Sequence, residues 1–105
     1  MPTAVATALF IREVRKFAVQ TPDWAEARRY ETLPDERHDL TLVALRVYGS
    51  RDEFLTIMAA AGLDTLEQVL PEQTLVLPTW PQLQAIKRKT KYLTDDEARA
   101  IEALN

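Results

Sequence analysis

The sequence predicts an α+β domain in which two short apolar helices stand between two short extended segments. The first observation is a pair of apolar segments with helical character, 40–48 and 50–61, joined at a Gly-Ser turn. The second is the extended character of residues 29–33 and 74–77 on either side of them. The third is composition, since 47% hydrophobic and 28% charged residues in a chain of 105 are typical of one small globular domain.

The N-terminal residues 3–20 have the pattern of an amphipathic helix. Apolar residues recur at mostly helical spacing, and charged residues occupy the other side. A strand over 9–19 is the competing interpretation. Residues 21–23, Thr-Pro-Asp, have the form of a helix start, so a short helix over 22–29 would carry Trp24. The apolar positions of the first helix are Val5, Leu9, Phe10, Val14, Phe17 and Ala18.

The two middle helices have recognisable caps. Asp39 is a good N-cap for a helix over 40–48, which is apolar almost all round and is predicted to be buried on most sides. Gly49 suits a left-handed C-terminal cap. Ser50 and Glu53 have the spacing of a capping box for the next helix. The apolar face of that helix is Phe54, Leu55, Ile57, Met58 and Ala61, with Gly62 as its cap.

The second half of the chain mixes strand, turn and helix signals. Residues 64–67 can form one helical turn, and 74–77 form a short apolar strand ended by a proline. Prolines at 78 and 81 flank Trp80 and predict irregular structure there. Residues 82–91 fit either a helix or an extended arm. A second capping box at 94–97 predicts a terminal helix with Ala98, Ile101 and Leu104 on one face.

Composition and charge narrow the classes of function. The net charge of −3 gives no overall attraction to nucleic acid or to an anionic membrane. The absence of cysteine removes disulfides, thiolate chemistry and cysteine-ligated metals. We expect no secretion signal, because no basic region precedes the apolar run 4–11, and no apolar run approaches the roughly 20 residues of a membrane span.

The titratable residues do not form a recognisable catalytic or metal-binding pattern. His38 is the only histidine and has no accompanying nucleophile, so we interpret it as a loop residue. Asp35, Glu36 and Asp39 lack the spacing of an oxygen-ligand loop and are explained by a turn and a cap. The acidic residues 95–97 are explained by capping. We therefore expect no enzyme activity and no cofactor.

A basic run between Trp80 and Tyr92 raises the question of nucleic acid. Lys87, Arg88, Lys89 and Lys91 could contact phosphates. Because the chain as a whole is acidic, a solvated or partner-facing patch is the better interpretation. We expect no nucleic-acid partner.

Residues 30–78 resemble the LysM fold, a strand–helix–helix–strand module. The residues that carry the resemblance are Tyr30, Asp39-Leu40-Thr41-Leu42, Ala44, Val47-Tyr48-Gly49, Ile57, Ala60-Ala61-Gly62-Leu63 and Leu70 to Pro78. The Val-Tyr-Gly before the second helix, together with flanking arms, is more similar to LysM-like proteins of contractile phage tails. The resemblance implies a module at 29–78, an N-terminal arm at 1–28 and a C-terminal arm at 79–105.

The departures from sugar-binding LysM modules bear on function. Here His38 precedes Asp39 where those modules have glycine, Ala61 stands where they have asparagine, and the glycine before the last strand is replaced within 71–73. Polar groups that would face a sugar are therefore missing. Peptidoglycan binding, in a groove between the loops 34–39 and 62–73, is kept as the alternative function.

The resemblance implies a structural, non-enzymatic component of a contractile-tail baseplate, located in the virion and present in many copies. A module of about 50 residues buries too little surface to be stable alone. We therefore expect the arms to bind other tail proteins and the isolated monomer to be poorly stable or self-associating. Large aromatics anchor many interfaces, and the predicted partner-binding residues are Phe10, Val14, Phe17, Trp24, Trp80, Tyr92, Ile101 and Leu104. For Trp80 the competing interpretation is that it folds back over the module.

Overall fold

The structure, a computed structural model, describes residues 3–92. The α+β class predicted from the sequence is confirmed. The elements are, in chain order, α1 (Ala4–Gln20), β1 (Arg28–Glu31), α2 (Leu40–Tyr48), α3 (Phe54–Ala60), β2 (Thr74–Leu77) and α4 (Trp80–Thr90), with 3-10 turns at Pro34–Glu36 and Arg51–Glu53.

β1 and β2 form a two-stranded antiparallel sheet. Arg28 lies opposite Leu77, and Glu31 lies opposite Thr74. Side chains of a strand alternate between the two faces, and in β2 this places Leu75 and Leu77 in the core. β1 is mostly exposed, so the sheet has one buried strand and one surface strand. The order of elements from β1 to β2 is strand, helix, helix, strand.

α2 begins and ends where its caps predict. The Asp39 carboxylate accepts hydrogen bonds from the backbone N–H groups of Thr41, at 3.0 Å, and Leu42, at 3.2 Å. At the other end Gly49 has φ +77°, which a side chain would make strained. The boundaries of β2 also agree with the prediction, since it covers Thr74–Leu77.

The predicted capping box at the start of the next helix does not form. The hydroxyl of Ser50 accepts from the N–H of Asp52, at 3.2 Å, and a 3-10 turn precedes α3. The carboxylate of Glu53 does not turn back to Ser50. It points towards α4, where it meets Lys87. A long-range ion pair has therefore replaced the local bond.

Two predicted helical turns are absent. Residues 22–27 are not helical and contain a turn and a bend at 23–25. The Arg29 guanidinium donates hydrogen bonds to the carbonyl oxygens of Pro22 and Ala25, at 3.0 and 3.2 Å, which a helix would use for its own backbone bonds. Residues 64–67 are also not helical. There the side-chain oxygen of Gln68 accepts from the N–H groups of Asp64 and Thr65, which satisfies them without a helix.

A helix forms where the prolines predicted irregular structure. α4 begins at Trp80 and places Pro81 at its second position, where the missing N–H has no partner to lose. The side chain of Gln82 accepts from the N–H of Thr79 at 2.8 Å and so caps the start. α4 ends with Lys91 in the left-handed region, at φ 60°. Residues 82–90 are thus helical, and the alternative of an extended arm is wrong.

α1 and α4 belong to the core. One cluster of buried residues joins Phe10 and Val14 of α1 to Ala59 of α3 and Leu83 of α4. A second cluster lies between α2, α3 and β2, and Ile11 of α1 packs against both. The strand alternative for residues 9–19 is wrong, since α1 is helical throughout. Its amphipathic pattern is explained by burial within the chain.

α1 and α4 run in opposite directions. Phe10 meets Tyr92, and Glu13 meets Lys89. This pairing makes the two flanks part of one packed unit over residues 3–92, and it corrects the expectation that they are arms awaiting other subunits. The flanks supply the apolar burial that a module of this size lacks alone. The predicted terminal helix at 94–105 lies outside the described residues.

A candidate partner-binding surface around Trp80

Two of the predicted partner-binding residues are core residues. Phe10 and Val14 are completely buried, against Ala59 and Leu83. They have no surface to offer a partner, so the prediction that they bind one is corrected. The sequence pattern showed that this face of α1 must be covered, and α3 and α4 of the same chain cover it.

Phe17 and Tyr92 have partly buried side chains at the contact of α1 with α4. The Tyr92 ring stacks on Phe10, with centroids 4.3 Å apart and planes 14° apart. Phe17 lines a shallow depression with Ile86 and Pro22. Both residues therefore contribute to contacts within the chain. Ile101 and Leu104 lie outside the described residues.

Trp24 and Trp80 are the predicted residues that the structure leaves exposed. Trp24 is 88% exposed and Trp80 is 51% exposed. The side-chain amide of Gln82 donates to the carbonyl oxygen of Glu26 at 3.0 Å. Trp24 lies two residues before Glu26, and Trp80 lies two residues before Gln82. This bond therefore joins the loop that carries Trp24 to the start of α4. We call the surface that contains Trp24, Glu26, Trp80 and Gln82 the tryptophan surface.

A small pocket opens beside Trp80. It has a volume of about 210 Å³ and is lined by Arg28, Val47, Tyr48, Thr79 and Trp80. The rings of Tyr48 and Trp80 are tilted by 48°, with centroids 6.1 Å apart, which is a favourable aromatic geometry. The Tyr48 hydroxyl donates to the carbonyl oxygen of Pro78 at 2.7 Å. Burial raises the pKa of Tyr48 well above its usual range, so this wall of the pocket is uncharged.

The other side of Trp80 is polar. The Lys87 ammonium lies 2.6 Å from the Glu53 carboxylate and 5.9 Å from the centre of the Trp80 ring. Lys87 is only 2% exposed. A second cavity, of about 220 Å³, is lined by this pair together with Asp52, Trp80 and Gln84. Trp80 thus stands between an aromatic pocket and a charged one.

Sequence reasoning missed the burial of Lys87, which it assigned to a basic patch. The signal was available in the helical spacing, because Lys87 follows Leu83 by four positions and therefore shares its face. Lys89 pairs with Glu13 at 3.2 Å, while Arg88 and Lys91 are exposed. The basic run is therefore divided among different surroundings and does not form one face.

The acidic residues around His38 form a structural network. Glu36 is completely buried and accepts from Arg46 at 2.9 Å, from Tyr30 at 2.5 Å and from the N–H of Leu33 at 2.6 Å. Asp35 makes a two-bond contact with Arg46, and this hydrogen bonding lowers the pKa of the Asp35 carboxyl. All these groups are used in fixing the loop between β1 and α2. Residues 3–92 contain no group of three or more metal-ligating side chains.

Comparisons with protein-family models, with curated proteins and with solved structures gave no match. In the part of the chain that the structure describes, no helix combines the length and the apolar character needed to cross a membrane.

Proposed function

We propose that this chain is a structural, non-enzymatic component of a contractile phage tail. It would act as an adaptor in or beside the baseplate, in many copies, and join neighbouring tail proteins. One observation carries the proposal. The chain between Arg28 and Leu77 follows the order strand, helix, helix, strand, and its outer strands pair antiparallel. This order supports the proposal, because the resemblance to LysM-like tail proteins implies a strand–helix–helix–strand module.

The tryptophan surface is the part of the molecule that we assign to the partner. Large aromatic side chains are costly to leave in water and dominate the free energy of binding at many interfaces. The bond between Gln82 and the carbonyl oxygen of Glu26 joins the segment that carries Trp24 to the start of α4, which carries Trp80. A fixed surface loses little conformational freedom on binding, which favours affinity.

The packing of α1 and α4 changes how the adaptor would work. With Phe10 and Leu83 in one buried cluster, residues 3–92 fold before they meet a partner. Docking then joins preformed surfaces and does not require the helices to order on the assembly. We therefore expect the isolated chain to be a stable folded protein.

The alternative of peptidoglycan binding has less support from the geometry. The groove would lie between the loops 34–39 and 62–73. The N–H of Leu70 donates to the carbonyl oxygen of Arg37 at 2.8 Å, so these loops are bonded directly to each other. Leu66 and Val69 in the second loop expose apolar side chains. The N–H of Leu70 is therefore already paired within the protein and cannot donate to a sugar in this groove.

A deletion experiment in the genome that carries the gene tests the proposal. We expect deletion to yield particles without a complete baseplate, seen by electron microscopy, and the wild-type gene to restore it. Trp80→Ala should restore it poorly, whereas Leu66→Ala, which also truncates a half-exposed apolar side chain, should restore it fully. Circular dichroism of each purified variant checks that it folds.

Normal contractile particles from the deletion strain would overturn the tail function. Retention of the purified chain on peptidoglycan at low salt, abolished by substitutions in the loops 34–39 and 62–73, would support the alternative. Particles restored equally by Trp80→Ala and by wild type would leave the tail function standing and remove the tryptophan surface from it.

A further inference from the structure

A small turn carries Trp24, the most exposed of the large hydrophobic residues that the structure describes. The N–H of Ala25 donates to the carbonyl oxygen of Pro22 at 3.0 Å, so Pro22 and Ala25 are the ends of a four-residue turn. Asp23 and Trp24 are its two central residues, and both are exposed. Trp24 is 88% exposed. We call this turn the knob.

The knob is held in place from behind. The guanidinium of Arg29 donates to both ends of the turn, to Pro22 and to Ala25, at 3.0 and 3.2 Å. The residue after the turn is tied to α4 through the Gln82 side chain. An exposed tryptophan does not stabilise the fold, because its apolar ring stays in water. Its position on a turn that hydrogen bonds hold in place therefore indicates a binding role. The arrangement is that of a preorganised binding element.

A matching pocket lies nearby on the same molecule. It is the pocket beside Trp80, with a volume of about 210 Å³ and walls of Val47, Tyr48 and Trp80. Small-molecule sites commonly measure about 300–1,000 Å³, so this pocket suits a single side chain better than a drug-sized ligand. Its aromatic walls favour an aromatic occupant.

The charges of knob and pocket are complementary. Asp23 is next to Trp24, and Arg28 lines the pocket. Both residues are exposed, and within residues 3–92 no hydrogen bond or ion pair engages either side chain. An occupant that brings a carboxylate beside its aromatic ring would meet the Arg28 guanidinium, and the knob has this composition.

We infer that a second copy of this chain is the occupant, with Trp24 of each copy in the Trp80 pocket of the other. Only two residues, 26 and 27, separate the knob from Arg28, and the bond from Gln82 to the carbonyl oxygen of Glu26 joins the end of the knob to the start of α4, so knob and pocket lie on neighbouring parts of the surface. A two-fold axis beside them lets each knob reach the opposite pocket, and the contact closes on itself. Asp23 of one copy then pairs with Arg28 of the other. The inference rests on the proposed function, because it names the partner of the tryptophan surface.

Sedimentation equilibrium of the purified full-length chain measures this pairing. We expect a concentration-dependent dimer, and Trp24→Ala should raise its dissociation constant at least about 30-fold, as for a central interface aromatic. Leu66→Ala, which removes an exposed apolar side chain elsewhere, should leave the constant unchanged. Circular dichroism establishes that both variants fold, and the exposure of Trp24 makes a folding defect unexpected.

A charge exchange identifies the orientation of the contact. Asp23→Arg and Arg28→Asp should each weaken the dimer several-fold, because each places like charges together. The double variant restores opposite charges and should recover most of the affinity. If both single variants weaken the dimer and the double variant weakens it further, the two residues do not meet and the inference is wrong.

A chain that stays monomeric up to about 0.5 mM, far above the micromolar range typical of functional dimers, would overturn the inference. A dimer that Trp24→Ala leaves intact would overturn it too. Neither result touches the tail function, which the deletion experiment tests in assembled particles. Conversely, the purified chain can show a dimer with the expected variant effects while the deletion strain makes normal tails. That pair of results would support the pairing and overturn the tail function.

Discussion

The Lys87 ammonium lies 2.6 Å from the Glu53 carboxylate, although 34 positions separate the two residues in sequence. Both are buried, with side chains only 2% and 10% exposed. The pair connects α4 to the turn before α3. A buried ion pair contributes little net stability by itself, but losing one partner is costly because the other charge stays out of water.

Lys87→Met should therefore destabilise the protein by about 3 kcal/mol, since it strands the Glu53 carboxylate. Urea unfolding followed by circular dichroism measures the change. Adding Glu53→Gln to this variant should recover part of the loss. Lys89→Met is the control, because Lys89 is 67% exposed in its pair with Glu13 and should cost no more than about 1 kcal/mol. Equal losses from the two lysines would contradict the buried pair.

Phe10→Ala tests whether α1 belongs to the folded unit. Phe10 is completely buried against Leu83 and Tyr92. Its truncation should cost about 3–5 kcal/mol, the usual range for a buried phenylalanine. Val5→Ala, on the exposed side of the same helix, should change the free energy of unfolding by no more than about 0.5 kcal/mol. A small effect of Phe10→Ala would mean that α1 is an arm after all.

Stability should fall in acid through two carboxylates near α2. Hydrogen bonding from Arg46 lowers the pKa of Asp35, and the Thr41 hydroxyl lowers that of Asp39. A carboxyl with a lowered folded pKa stabilises the protein above its unfolded pKa of about 3.9, and this stabilisation is lost as the pH falls through the folded pKa. Urea midpoints should therefore decline below about pH 4.

Asp35→Asn and Asp39→Asn each remove one of these titrations, so the decline should be shallower in either variant. At neutral pH both should be less stable than the wild type, since Arg46 loses an ionic partner and α2 loses its charged cap. An acid profile that neither substitution changes would mean that other groups govern it.

Gly49→Ala should destabilise by about 1 kcal/mol. At φ +77° an L side chain is strained, although the space around the missing Cβ is empty. Gly49→Asn should cost less, because asparagine tolerates this backbone region better than alanine. Thermal unfolding of the three proteins gives the order, and a ranking with alanine as the most stable would contradict the left-handed cap.

Local signals made α2 predictable. Asp39 and Gly49 are adjacent to the helix that they cap, and the apolar run between them needs no distant partner to be recognised. β2 was predictable for a similar reason, because a four-residue segment with three consecutive apolar residues ends at a proline. Each of these signals is complete within a few residues.

Long-range contacts explain what the sequence did not reveal. The helix predicted at 22–29 does not form, because Arg29 donates to the carbonyl oxygen of Pro22 and residues 28–31 pair with β2. The capping box at Ser50 does not form, because Glu53 pairs with Lys87. Pro81 was misjudged because its position within α4, and not its presence, decides its effect. For the site, the two exposed tryptophans were named from sequence, whereas their shared surface depends on the bond between Gln82 and Glu26.

The stacking of Tyr92 on Phe10 has a consequence for synthesis of the protein. Translation makes α1 before α4, and two partners of its apolar face, Leu83 and Tyr92, emerge some seventy to eighty positions after Phe10. Until then the side of Phe10 and Val14 that faces α4 remains uncovered on the nascent chain, and uncovered apolar surfaces promote misassembly. The cluster around Phe10 and Leu83 therefore closes only after α4 has been synthesised, so the apolar face of α1 stays partly uncovered while α2, α3 and β2 are made.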